Sequence, residues 1–468
     1  MQFPAPRSSM RYLDRFSTQG TKSAPRVAPG GRLSASQKTD VIIVGAGVSG
    51  LAAARALRER GVRVEVLEAR DRIGGRVFTH RDPRAPAPIE LGAEFVHGSA
   101  PEVMSIVREA GLLAVDVCGQ RWERRGKRLV ASRDFWRRLE NVMGRMSASR
   151  DPDRSFHEFL ATAPGGRRLA PDRALAREFV EGFHAADALR ISERALAKGG
   201  SPHGDVNEQR IGRVLDGYDH VPGWLSRKPY DSVRLRTAVR SIEWEPGAVH
   251  LETSKGSFAA RAAILTLPIG VLQARPGDVG AVRIHPAIAR HEDALSLMTT
   301  GAVTRLVLLF REEFWRNGKL ANLSFLQGSD PDVPVWWTLA PLRAPMLVAW
   351  AGGRRGAALA LLSIEERLDR VLSSAARQFG IPRRKLASLL VDSWTHNWEN
   401  DPFARGAYSY PLVGGSKAGE ALAKPIRGTL YLAGEATVRE SDSGTVHGAI
   451  RSGRRAATQL ARHLGVHS

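Results

Sequence analysis

The chain of 468 residues contains one cysteine, Cys118. A lone thiol makes no intramolecular disulfide and supplies no cysteine metal cluster, so the count fits a reducing compartment. Cys118 is expected to be half-buried and inert. No run approaches the roughly 18 to 20 uninterrupted apolar residues that a membrane-spanning helix needs, so no span is expected. Three catalytic signatures are also missing: H-E-x-x-H, G-x-x-x-x-G-K-[ST] and G-x-S-x-G. Their absence argues against zinc-protease, P-loop and nucleophile-elbow chemistry, and no metal site is expected.

Acidic residues are scarce: 48 Asp and Glu against 69 Lys and Arg leave a formal charge of +21. The outer field should attract anions, acidic partners or nucleic acid at low salt. No nucleic-acid module is recognisable, however, and nucleic acid is not an expected partner. Part of the excess lies in residues 1–39, where Arg7, Arg11, Arg15, Lys22, Arg26, Arg32 and Lys38 face only Asp14. Without an apolar h-region this segment is no secretory signal. It reads as a disordered basic tail, and a transit peptide would have the same acid-poor look. The expected location is cytoplasmic, with import by the tail left open, and the oligomeric state is not legible.

What is present points to a folded chain with room for a cofactor. Hydrophobic residues make up 43% and charged residues 25%, the balance of a globular protein, and the length suggests two domains. From Asp40 the run DVIIVGAGVSG reads as a buried parallel strand, a glycine turn and a helix over residues 51–60, with a second strand over 62–67. Gly45, Gly47 and Gly50 have the G-x-G-x-x-G spacing. The first allows the tight turn, the second a close approach by pyrophosphate, and the third close helix–strand packing. Glu68 ends the second strand, at about the 20-residue offset expected for a ribose ligand. The fold class is therefore α/β, a Rossmann-like dinucleotide-binding domain with an α+β second domain.

Farther along, residues 101–200 read as helical and Arg-rich, and the stretch to Gly223 as loop. Strand character at 233–244, 250–253 and 263–267 is expected to rejoin the first sheet. Residues 304–310, 335–339 and 347–350 read as strands of a different sheet, and 429–433 and 445–464 as a last strand and helix. The dinucleotide-binding domain is placed at 40–100, 232–285 and 425–468, and the substrate domain at 101–231 and 286–424.

Four blocks carry a resemblance: EARDRIGGRVFT (68–79), IELGAEFVHG (89–98), DPFARGAYSYPLVGG (401–415) and LYLAGEATVRESDSGTVHGAIRSGRRAA (430–457). They resemble the flavin-containing monoamine and polyamine oxidases and the related histone lysine demethylases. The resemblance implies FAD, in a two-dinucleotide-binding-type fold. It places Arg70, Gly74, Gly75, Arg76, Gly92 and Ala93 along the cofactor, Gly434 and Glu435 at its phosphate and ribityl region, and Val239 on the adenine side. Thr445 and Val446 would open a helix toward the flavin ring, where free N–H groups favour a reduced, anionic flavin. Ala407 stands directly before Tyr408 where covalent members have cysteine, which implies non-covalent FAD.

Tyr408 would be half of an aromatic cage whose second aromatic is replaced by Thr445. His97 matches a substrate-side histidine of polyamine oxidases. Arg305 occupies the place of a family lysine; it is bulkier, permanently charged and no base, which bears on the reaction with dioxygen. Its alternative is a surface cation on an edge strand, and strand parity does not decide between the two. Glu94, Glu181, His184 and Asp187 are further candidates to face a cationic amine, each with a solvated or helix-pairing alternative. Of Trp336 and Trp337, one ring can wall the pocket while the other packs in the core.

The expected reaction is oxidation of a small mono- or polyamine by hydride transfer, imine hydrolysis, and reoxidation by dioxygen to hydrogen peroxide. Three alternatives remain: a desaturase of an apolar substrate, an L-amino acid oxidase, and a flavin-stabilised binding protein. Gly92-Ala93-Glu94-Phe95 lacks the carboxylate-gripping arginine of amino acid oxidases, which argues against the second.

Overall fold

The computed structural model describes residues 39–199, 210–227, 233–316 and 318–466; the tail read from the N-terminal residues lies outside these but for Thr39. Val41–Val44 forms strand β1, Val48–Arg58 helix α1 and Val64–Leu67 strand β2. β1 is the middle of a five-stranded parallel sheet ordered Val233–Arg234, β2, β1, Ala262–Leu265, Leu430–Leu432. Every residue of β1 and of Ala262–Leu265 is buried, because both faces of the sheet are covered. Val41 and Ile43 pack under α1 and the C-terminal helix Val446–His463, while Ile42 and Val44 meet Val239, Ile242 and Leu251 on the other side.

That second cover corrects the sequence reading. Val239–Glu245 and Ala248–Thr253 do not rejoin the parallel sheet; with Gly256–Ala260 and Arg283–His285 they form a four-stranded sheet of their own. Their buried and exposed positions nearly alternate, as in a sheet with one face on the core, whereas a central parallel strand must be apolar throughout.

A seven-stranded sheet forms the other large element, ordered Leu390–Trp394, Val303–Phe310, Met346–Gly352, Val335–Thr338, Leu323–Gly328, Gln120–Arg125, Arg128–Ala131. Leu306, Leu308 and Phe310 pack on Val371, Ala375 and Phe379 of helix Ile364–Phe379. Val307 and Leu309 face the opposite way, toward Phe325 and Trp337. Helices Phe135–Met143, Phe156–Ala161 and Ala170–Phe183 form a further apolar cluster.

Residues 101–200 are thus not helical throughout. Gln120–Arg125 and Arg128–Ala131 form a hairpin whose arginines mask the strand alternation. Ile211–Val214 and His220–Leu225, read as loop, are a strand and a short helix. Cys118 is exposed rather than half-buried. No helix among the described residues is long and apolar enough to cross a membrane.

Candidate active site

The turn after β1 begins with Gly45, whose N–H donates to the Leu67 carbonyl at 2.8 Å and whose φ of +104° suits glycine. A Cβ on Gly50 would stand 2.0 Å from the Gly45 carbonyl oxygen, so α1 can approach the strand this closely only without a side chain there. A Cβ on Gly47 would meet only the Gly75 Cα, at 4.0 Å. The space before Gly47 is open, as a pyrophosphate approaching the backbone requires.

A second glycine turn lies against the first. Gly74 N–H donates to the Ala46 carbonyl at 2.9 Å, and Arg72 Nη1 donates to the Gly75 carbonyl at 2.9 Å. Glu68 accepts from the N–H groups of Ala46 at 2.8 Å and Arg70 at 2.9 Å. A carboxylate has about four acceptor positions, so it retains capacity for a ribose. Arg70 is pinned by Asp401 at 2.7 Å.

Glu435 fastens the distant blocks together. Its carboxylate accepts from Arg76 Nη1 at 2.9 Å, Ser409 Oγ at 2.8 Å and Gly444 N–H at 3.1 Å. Arg76 also donates to the Ala407 carbonyl. Glu435 is therefore an organiser of the site, a role that sequence did not reveal. Beyond it, Thr445 Oγ1 accepts the Gly448 N–H at 3.0 Å and caps the C-terminal helix. The Val446 and His447 N–H groups have no protein partner among the described residues, since the Thr445 cap takes only the Gly448 N–H.

These turns open on one cavity of about 680 Å³, within the roughly 300–1,000 Å³ typical of ligand sites. Gly45, Gly47, Glu68, Arg70, Gly74, Gly75, Arg76, Gly92, Ala93, Val239, Gly434, Glu435, Thr445 and Val446 all line it, as do His97, Arg305 and Tyr408. Gly50 does not; it acts through packing alone, as its buried Cβ direction dictates. A Cβ on Gly434 would meet no atom within 4 Å. The residues fit an extended dinucleotide: bare backbone at Gly47 and Gly434, free helix N–H groups, and a carboxylate with spare acceptor capacity.

Arg305 corrects one alternative. Its strand lies inside the sheet, and Arg305 is 4% exposed. It donates to the Gly92 carbonyl at 2.9 Å and pairs with Glu94, which also pairs with Arg213 and accepts the Trp337 Nε1 hydrogen bond at 3.1 Å. Glu94 is thus neutralised by two guanidinium groups and is not free for an ammonium. Neither Glu181 nor Asp187 lines the cavity. Trp337 lines it and Trp336 is fully buried among core residues.

His97 and His184 line the cavity among Phe95, Phe179 and Phe183, with ring centroids 5.3–6.1 Å apart. Burial, with the nearby His447, lowers the His97 pKa to about 4; burial alone lowers His184 to about 4. Both are neutral at pH 7. The Tyr408 hydroxyl donates to the Phe183 carbonyl, and burial, with Glu435, pushes its pKa up. Sequence reasoning missed Phe135, Trp136, Phe179, Phe183 and Arg121 as cavity residues; the only signal was aromatic density in a stretch read simply as helical.

Comparison with known proteins agrees with this geometry. A family model of flavin containing amine oxidoreductases matches residues 48–461. Polyamine oxidase 5 of Oryza sativa subsp. japonica is 28% identical over 461 residues, spanning 91% of this chain and 88% of that protein. The flavin-containing amine oxidase of Oncorhynchus mykiss is 24% identical over 473 residues, spanning 92% and 88%. The structure of wild-type putrescine oxidase bound to putrescine shares the fold, with a TM-score of 0.76 at 24% identity over 91% of this chain and 99% of that one. The family model spans the glycine turns and the histidine- and aromatic-lined cavity alike, and the chain belongs to the flavin containing amine oxidoreductase family, with FAD as its cofactor.

Proposed function

We propose that the chain oxidises a small amine, taking one amino group per catalytic event and with no second ammonium bound by the cavity. FAD bound along the glycine turns supplies a two-electron acceptor for hydride from the amine α-carbon. Segments 40–100, 232–285 and 425–468 carry it, without a covalent bond, since Ala407 offers no thiol, and the rest of the fold carries the substrate. The imine takes up water to give aldehyde and ammonia. Dioxygen accepts the two electrons as hydrogen peroxide, so amine, oxygen and water balance aldehyde, ammonia and peroxide.

The chain's own groups orient the amine and keep it neutral. His97 stays uncharged above about pH 4, so it accepts a hydrogen bond without placing a cation beside the amine. Tyr408 supplies a ring wall held by its hydroxyl. Arg305 is held in the wall by the Gly92 carbonyl and Glu94.

The observation that carries the reading is the continuity of one cavity from the dinucleotide turns to this neutral, aromatic end. Its cavity-facing acids Glu94 and Glu178 are both tied to arginines, which favours a monoamine over a polyamine. The test is an anaerobic absorbance titration of the yellow protein with mono-, di- and polyamines, followed by air. Bleaching by a monoamine, then recovery with peroxide, is expected. Bound FAD that no amine reduces overturns the proposal, and bleaching without recovery in air removes dioxygen as acceptor.

A further inference from the structure

Strand Gln120–Arg125 places Arg121 on the aromatic wall of the cavity. Its guanidinium carbon lies 4.4 Å from the Phe325 ring centroid, 4.5 Å from Phe135 and 5.8 Å from Trp136. All three rings line the cavity, and so does Gln327. Among the described residues the guanidinium has one side-chain hydrogen bond, Nη1 to Gln327 Oε1, at the long distance of 3.5 Å.

Among the described residues no carboxylate pairs with it, and its neighbours make that conspicuous. Glu123, two positions along the same strand, pairs with Arg125 and Arg138; Glu178 pairs with Arg355; Glu94 pairs with Arg213 and Arg305. Burial lowers the Arg121 pKa to about 10, with no acid offsetting it, and it remains charged at pH 7. An enclosed cation without an anion is costly. The stacked rings offset only part of that cost. What remains is a planar fork of N–H donors on the cavity wall, a geometry suited to bidentate contact with a carboxylate.

Two rings in contact, Phe325 and Trp337, stand between Arg121 and the Arg305 guanidinium. Phe325 contacts Trp337 at 6.1 Å between centroids, and Trp337 in turn lies 5.5 Å from the Arg305 guanidinium. Resting on the amine-oxidation reading, we propose that Arg121 binds a carboxylate at the end of the substrate away from its amino group. The substrate class is then an ω-amino carboxylate, rather than a polyamine or an α-amino acid.

A matched five-carbon set tests this in the FAD-loaded protein: 5-aminopentanoate, pentylamine, cadaverine and norvaline, each titrated anaerobically. 5-Aminopentanoate is expected to half-reduce the flavin at a concentration at least about 10-fold below that of pentylamine, as charge-assisted hydrogen bonds imply. Arg121→Gln should raise that concentration roughly 10- to 100-fold relative to pentylamine, with Arg121→Lys between. Flavin content and melting temperature identify a variant that has merely misfolded. Preference for cadaverine, pentylamine or norvaline overturns the inference while leaving amine oxidation standing, as does an Arg121→Gln effect equal for all four.

If no amine reduces the flavin, the amine reading fails but the subsite is still decided. Pentanoate should quench tryptophan fluorescence through Trp136, saturably, and about 10-fold more weakly in Arg121→Gln. No binding, or equal binding by both proteins, overturns it.

Discussion

The turn after β1 and the wall bearing Arg121 and Arg305 line one cavity and are built in opposite ways. At the turn, backbone does the work: Gly45, Gly47 and Gly50 lie within six residues and act through what they lack. At the wall, long charged side chains do it, and their partners are remote in sequence. Arg305 and Glu94 are 211 residues apart, and Arg213 and Glu94 are 119 apart. The turn admits no added atom at Gly50, whereas the wall depends on charge balance among groups that could be exchanged together.

The largest effect should follow from adding one methyl group to the turn. In Gly50→Ala the Cβ would lie 2.0 Å from a backbone oxygen, with no flexible side chain to yield. The turn must open, and the purified protein is expected to be colourless and destabilised. Gly47→Ala sharpens the contrast, since its Cβ meets only the Gly75 Cα at 4.0 Å: the melting temperature of the apoprotein should hold while FAD affinity drops. Equal flavin-to-protein absorbance in wild type and Gly50→Ala would refute the backbone account.

At the wall, Glu94→Ala should cost about 3–5 kcal/mol, the usual penalty for leaving a buried charge unpaired. Two guanidinium groups lose their anion, and the Nε atoms of Arg213 and Arg305 already have no partner among the described residues. Adding Arg305→Met should recover part of the loss, because it removes one stranded cation and keeps the volume. Chemical unfolding of the single and double variants measures the coupling. Additive losses would mean that Glu94 and Arg305 are neighbours without energetic linkage.

The same contrast explains what was legible in the sequence. The glycine spacing and Glu68 are local signals, and the cavity contains them as read, with Gly50 beneath it. Glu435 was legible as a member of a motif but not as the clasp between Arg76, Ser409 and Gly444, which only folding brings together. Arg305 was visible as a departure from the family pattern and Glu94 as a candidate to face a cationic amine. Taken as a pair of opposite charges, they would have disclosed the buried ion pair and settled the strand parity that alternation alone left open. Arg121 gave no signal, because an arginine-rich hairpin with Trp122 buried on one face reads as surface helix. The two small sheets were confused for a similar reason: β1 and Val239–Glu245 are both apolar enough for strands, and only burial on one face or two separates them.

The smallest effect is expected where the wall uses a hydroxyl. Tyr408 donates to the Phe183 carbonyl, and burial, with Glu435, raises its pKa well above that of a free phenol. It therefore stays protonated throughout the working range and is committed to a backbone oxygen, so it cannot take a proton from an amine. Tyr408→Phe keeps the ring and removes one hydrogen bond, a loss of about 0.5–1.5 kcal/mol. Anaerobic flavin reduction should slow by no more than about 10-fold, and its pH profile should keep its midpoint, which the substrate ammonium sets. A loss of several thousand-fold, or a displaced midpoint, would make the phenol a proton carrier. The aromatic end would then share the turn's property of failing when a single atom changes, and the contrast between the two regions would not hold.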